Sequence, residues 1–222
     1  KVLGTFYFAD DQQLRNTFRV YFAHPEKAGE LIKDLESNKA VVYAEKIPQD
    51  RFFFTPNDIG SNSNTGNGQW YLYKLRALQA WDIQRGKASV KVAVVDDAVQ
   101  VDHPDLDGVC LPGRDVAENK ASPTPPDSTF SHGTHVAGII AAKTDNSFGI
   151  ASLAHGVSII PIKITLTGQP GTPTAGYEGI LWAISQGADI INVSWGSEMV
   201  SYSAQSVIAS AVAAGITVVA AA

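Results

Sequence analysis

Cysteine is almost absent: Cys110 is the single one among 222 residues, so no disulfide can form within the chain and cysteine usage does not indicate a redox compartment. No apolar run approaches the roughly 18 residues that span a bilayer, which leaves no candidate membrane helix and no membrane partner. Blocks of Lys and Arg are missing and the net charge is -5, which argues against a nucleic-acid surface. No Gly-x-Gly-x-x-Gly follows an apolar run, so a dinucleotide-binding domain is set aside although it would share the pattern described below. Internal repeats are missing too. Lys1 rather than Met opens the chain and no signal peptide is visible, which leaves processing, a chosen cut or a longer reading frame as its origin.

What is present is a core. Hydrophobic residues make up 45% of the chain, enough for a globular interior, and the length suits one large domain or a domain with a small companion. The first part, 1–58, reads as the companion, a small α+β unit. Thr17 to Ala23 alternates as a half-buried strand, Pro25 starts a helix whose apolar positions are Ala28, Leu31, Ile32 and Leu35, and Ala40 to Ala44 reads as a second strand. Arg51-Phe52-Phe53-Phe54 is a third apolar patch. A polar, glycine-rich stretch ending at Gln69 marks 59–69 as a linker, and 70–222 as the main domain.

From Val90 onward apolar strands alternate with helical patterns. Strands are expected at Val92 to Val95, Val157 to Ile164, Ile190 to Val193 and Ile216 to Ala222. Helices are expected after His132, over Gly176 to Gln186 and over Ala204 to Ala214, with Gly187 and Gly215 at the ends of the last two. Right-handed crossovers between such strands give a doubly wound parallel α/β sheet, in which ligands bind beyond the carboxyl ends of the strands. Asp96 falls at one such end. His132-Gly133-Thr134-His135-Val136-Ala137-Gly138 opens the first of these helices, with Ser131 placed as its N-cap and Gly138 as a point of close backbone approach. A helix N-terminus disfavours an imidazolium, so a charge on His132 calls for a carboxylate partner, and Asp96 is the candidate. His132 and His135 are also spaced to share a helix face, but no third ligand accompanies them as zinc would require.

Asp96-Asp97-Ala98, Asp102-His103-Pro104-Asp105-Leu106 and His132-Gly133-Thr134-His135 together resemble the subtilisin-like serine proteases, whose triad runs Asp, His, Ser along the chain. The resemblance implies that Asp96 orients the imidazole and His132 is the general base of an endopeptidase acting on polypeptides. It implies that Ser194, Trp195 and Gly196, in Asn192-Val193-Ser194-Trp195-Gly196, form the strand edge that pairs with extended substrate. It implies a structural calcium ion whose side-chain ligands are Asp105 and Asn146, the latter in Thr144-Asp145-Asn146-Ser147-Phe148-Gly149-Ile150. The first unit is similar to an inhibitory propeptide, a partner of its own catalytic domain, and the family implies secretion.

The family's oxyanion Asn and nucleophilic Ser belong to segments expected beyond Ala222, so the chain alone is expected to be inactive. Ala98 stands where the family has Gly, and His155, in Ser152-Leu153-Ala154-His155, stands where it has Pro; His155 reads as a surface histidine. The competing class is a non-catalytic pseudoprotease or binding module on the same scaffold, which would have no need of Asp96 and His132.

Overall fold

The structure, a computed structural model, describes residues 1–47, 54–58 and 68–221. Contacts divide the chain into two units, Lys1–Phe52 and Phe53–Ala222. The sequence reading sets its boundary later, after 58, whereas residues 54–58 belong with the second unit. There the Asn57 side chain accepts the Ser147 N–H (2.8 Å) and the Asp58 carboxylate accepts the Asp145 N–H (2.9 Å). Of the expected linker, Gly68 and Gln69 are described and the rest lies outside the described residues. Gln69 is buried, its side chain exchanging hydrogen bonds with the Ala151 backbone.

In the first unit, β1 (Val2–Gly4), α1 (Gln12–Arg15) and β2 (Phe18–Val20) precede a 3-10 turn, Pro25–Lys27, and α2 (Ala28–Glu36). Pro25 opens the turn, its fixed φ suiting a first helical position, and Ala28, Leu31, Ile32 and Leu35 are the half-buried positions of α2. The expected strand over Thr17 to Ala23 shrinks to β2, whose antiparallel partner is β1, with Val2 opposite Val20. The strand expected over Ala40 to Ala44 does not form. Asn38 takes the N–H groups of Ala40 and Val41 in a turn after α2, and Val42 is left 80% exposed. Of the expected patch Arg51 to Phe54, Arg51, Phe52 and Phe53 lie outside the described residues.

The second unit runs α3 (Trp70–Lys74), α4 (Ala77–Trp81), β3 (Lys91–Asp96), β4 (Arg114–Asp115), α5 (His132–Ala141), β5 (Ser158–Lys163), α6 (Gly176–Ser185), β6 (Ile190–Val193), α7 (Tyr202–Ala213) and β7 (Thr217–Ala220). Its strands form one parallel sheet in the order β4-β5-β3-β6-β7. The four strands and three helices expected after Val90 are all found, and Gly187 and Gly215 end α6 and α7 with φ of +68° and +79°, as a left-handed helix C-terminus favours.

Strand alternation sorts the core into two layers. Val92 and Val94 of β3 pack with Ala137 and Ala141 of α5 on one face. Ala93 and Val95 pack with Ile180 and Ala183 of α6 and Ala211 of α7 on the other. Helices therefore cover both faces of a parallel sheet, the doubly wound α/β arrangement read from the sequence. The same parity assigns Asp96, the last residue of β3, to the α5 face.

A third cluster joins Leu72, Ala77, Trp81 and Ala151, with Phe54 against it. His155, read from the sequence as a surface histidine, is half-buried against this cluster: its ring centroid is 5.8 Å from those of Phe54 and Trp81, and burial lowers its pKa. At the far side of β3, Lys163 and Asp115 form an ion pair of 2.9 Å within the interior, each 2% exposed or less.

Candidate active site

Strand β3 delivers Asp96 to the carboxyl edge of the sheet, and α5 starts directly opposite. Gly133 makes the approach feasible. A Cβ there would lie 2.4 Å from the Ala98 carbonyl oxygen and 2.8 Å from Asp96 Cβ, so any side chain would push the helix start away. At Gly138, where the sequence reading put the close approach, the nearest atom to an added Cβ is Ile150 Cδ1 at 3.6 Å, an ordinary contact.

Asp96 Oδ1 and His132 Nδ1 are 2.7 Å apart, and Oδ1 also accepts the Asp97 N–H at 2.7 Å. Asp96 is 3% exposed, whereas the His132 side chain is 57% exposed. The buried carboxylate thus holds one ring nitrogen as a donor and leaves Nε2 as the basic nitrogen of a ring open to a reactant. The hydrogen bond to Asp96, reinforced by the charges of Asp96 and Asp97, raises the His132 pKa against a smaller opposing effect of burial. Burial raises the Asp96 pKa, outweighing the hydrogen bonds from His132 and the Asp97 N–H. Asp96 Oδ2 is buried with no hydrogen-bond partner among the described residues. An oriented, exposed imidazole backed by a buried carboxylate can take a proton from a weak acid and return it.

Ser131 occupies the N-cap position of α5, but its side chain makes no capping bond. The Asp97 carboxylate caps instead, accepting the His132 N–H (3.1 Å) and the Gly133 N–H (2.7 Å). Sequence reading missed this because the cap comes from the strand-end turn and not from the residue before the helix. Ala98 fits its turn without a positive φ, and its N–H also bonds Asp97 (2.6 Å).

Ser194, Trp195 and Gly196 follow β6, the strand beside β3. Trp195 Nε1 donates to the Val95 carbonyl at 2.8 Å, one residue before Asp96. Its ring lies on Gly176, where a Cβ would meet it at 2.3 Å, and edge-on to Tyr177. Ser194 Oγ accepts from Asn192 Nδ2 at 2.8 Å. Trp195 and Gly196 border an apolar hollow of ≈ 790 Å³ shared with Tyr177, Met199, Val200 and Ala204.

The structure brings Asp105 and Asn146, the expected calcium ligands, into direct contact with each other. Asp105 Oδ1 accepts from Asn146 Nδ2 (2.8 Å) and Oδ2 accepts the Ile150 N–H (2.9 Å). Gly149 gives the carboxylate room, since a Cβ there would lie 2.1 Å from Asp105 Oδ2. Asp58 reaches the same loop through the N–H groups of Asp145 and Asn146, which the sequence reading did not anticipate. Among the described residues no group of three His, Cys, Asp or Glu is placed to hold a metal. Burial pushes the Cys110 thiol up to about 11, which keeps it protonated and unreactive at neutral pH.

The family model described as the subtilase family matches residues 87–222. Thermitase from Thermoactinomyces vulgaris is 40% identical over 169 residues, covering 76% of this chain and 58% of its own length. A thermophilic serine proteinase from Bacillus sp. (strain AK1) is 32% identical, covering 89% of this chain and 47% of its own length. The chain therefore spans about half the length of these curated relatives. Among solved structures, a protease from Pseudoalteromonas arctica matches with a TM-score of 0.64 at 30% identity, over 75% of this chain and 58% of that one. Fervidolysin from Fervidobacterium pennivorans, described as a keratinolytic enzyme related to subtilisin, matches with a TM-score of 0.58 at 34% identity, over 72% of this chain and 26% of that one.

Proposed function

We propose that this chain, which belongs to the subtilase family, supplies the orienting aspartate and the general base of a subtilisin-type serine endopeptidase that hydrolyses polypeptides. The observation that carries the reading is the contact of 2.7 Å between buried Asp96 and exposed His132 at the carboxyl edge of the sheet. Asp96 fixes the tautomer and stabilises the imidazolium, while His132 takes a proton from a serine hydroxyl and returns it to the leaving amine. Ser194, Trp195 and Gly196 lie one strand away, where an extended peptide could run along the sheet edge toward His132. Secretion belongs to the same reading and rests on the family likeness.

Among the described residues no serine hydroxyl is bonded to the His132 ring. A nucleophile and an oxyanion donor are both needed for acyl transfer, so the 222-residue chain by itself is predicted to be inactive. A fluorogenic peptide assay comparing this chain with a longer protein that continues it into a serine nucleophile checks this. Hydrolysis is expected only from the longer protein. Hydrolysis by the 222-residue chain, or none by the longer one, counts against the reading and in the second case favours a binding module.

A structural calcium ion is part of the proposal. The Asp105 carboxylate, the Asn146 amide and the loop carbonyls offer the oxygen donors that a hard cation takes, with Asp58 against the same loop. Binding calls for Asn146 to turn Oδ1 toward the ion, since its Nδ2 now faces Asp105. Calcium at a hundred times its Kd is expected to stabilise the protein by about 2.7 kcal/mol. Calorimetry should show that increment, and Asp105→Ala should remove it. An equal increment in the variant would place the ion elsewhere.

The first unit, residues 1–52, is proposed to act as an inhibitor of the catalytic domain. The first unit leaves Phe18, Tyr21 and Phe22 exposed, apolar surface suited to docking, and a tether gives such a segment a high effective concentration. Added in trans to active protein lacking it, this segment is expected to suppress peptide hydrolysis. Unchanged rates at high micromolar concentration would remove the inhibitory role.

A further inference from the structure

We propose that Asp97 is a positioning residue for His132: its carboxylate caps α5 from the strand-end turn and so locks the helix that carries the base to the turn that carries the orienter. The inference rests on the reading of His132 as the base.

Asp97 is 8% exposed, and the described structure gives its carboxylate three backbone donors. Oδ1 accepts the N–H groups of Ala98 (2.6 Å) and Gly133 (2.7 Å), and Oδ2 accepts that of His132 (3.1 Å). The turn itself is pinned from the next strand. Thr165 Oγ1 donates to the Asp97 carbonyl at 2.7 Å, and the Ile164 N–H donates to the Asp96 carbonyl at 3.0 Å. Gly133 removes the side chain that would separate the two pieces. Asp96, Asp97 and the first turn of α5 therefore move together, and the position of the imidazole relative to Asp96 is set by backbone hydrogen bonds.

The carboxylate has a second effect. His132 is the first residue of α5, where the helix dipole disfavours an imidazolium. An anionic cap offsets that field, and Asp96 and Asp97 are the two charged groups that act on the His132 ring. A neutral cap could supply hydrogen bonds without this charge, so the two effects can be separated.

Asp97→Asn separates them in the 222-residue chain. Its Oδ1 can still accept from Ala98 and Gly133, but its NH2 group faces the His132 N–H and its charge is gone. Hydrogen exchange at the His132 amide is expected to quicken about tenfold, the loss of one capping bond, while Gly133 stays protected. The His132 pKa, followed by NMR of the ring, is expected to fall. Ser131→Ala is expected to leave both readouts unchanged. An unaltered His132 pKa in Asp97→Asn overturns the proposal, as does an unaltered His132 amide. If Asp97→Asn does not fold, Ser131→Ala still decides, because lost protection at His132 and Gly133 would make Ser131 the cap. None of these readouts needs hydrolysis, so they stand apart from the peptidase assay. In active protein, Asp97→Asn should also move the acid limb of kcat/KM to lower pH, which a purely structural role would not do.

Discussion

Asp96→Asn lowers kcat/KM for peptide hydrolysis by about 10⁴-fold in protein that carries the nucleophile, the loss known for a triad aspartate made neutral. The amide is isosteric, but Asp96 Oδ1 faces both the Asp97 N–H and the His132 ring, so turning Nδ2–H to the ring gives up the bond from Asp97. It can present Nδ2–H to the ring, which makes His132 Nδ1 the acceptor and puts the proton on Nε2, where no base is left. The stability of the variant should differ from that of the parent in a defined direction. Asp96 has its carboxyl pKa raised by burial, so its contribution favours the fold at low pH and is lost as pH rises through the raised value. At neutral pH the charged carboxylate therefore costs stability, and asparagine removes that cost. His132 also has a raised pKa, so its contribution is complete below the unfolded value near 6.5 and is lost as pH rises through the folded value. Asp96→Asn removes the largest cause of this acid-side bonus, and the acid limb of hydrolysis, which follows loss of the His132 proton, should move to lower pH. Chemical denaturation at several pH values and a pH–rate profile check both statements.

Lys163→Met is expected to destabilise the second unit by about 3 to 5 kcal/mol, the usual effect of leaving a buried charge without its partner. Lys163 Nζ lies 2.9 Å from Asp115 Oδ2 and 3.4 Å from Glu118, donates to the Thr165 carbonyl and sits 5.7 Å from the centre of the Phe130 ring. Methionine fills the volume but leaves Asp115 charged at 2% exposure. The double variant Lys163→Met, Asp115→Asn removes that charge and keeps an oxygen for the Glu118 N–H, which Asp115 Oδ1 now accepts at 2.9 Å. It should recover at least about 2 kcal/mol in urea denaturation. A double variant no more stable than the single one would mean that lost packing dominates.

The parallel sheet was legible because buried strands are short apolar runs and the helices between them keep helical spacing, both of which are local signals. Asp96 and His132 were legible through the residues around them, and the strand's own parity is enough to put Asp96 on the face where α5 lies. Contacts between distant parts of the chain were not legible. Nothing near Asp97 announces that it caps a helix 35 residues on, and nothing in Ile162-Lys163-Ile164 announces that the lysine turns inward to Asp115. Trp195 reads only as part of a substrate-pairing strand edge, yet its indole N–H fixes it to the carbonyl before Asp96. The expected strand over Ala40 to Ala44 failed for the converse reason. Its composition suits a strand, but Asn38 draws the first of its N–H groups into a turn and β1 takes the place beside β2.

The central claim is that Asp96 and His132 act as one unit, carboxylate orienting and imidazole accepting. Titration of the His132 ring by NMR in the 222-residue chain and in its Asp96→Asn variant tests it most directly, without need of substrate. A His132 pKa above the ordinary value near 6.5, falling when Asp96 becomes asparagine, is the predicted result. A value at or below 6.5 in the parent chain, or one that does not move in the variant, would contradict it.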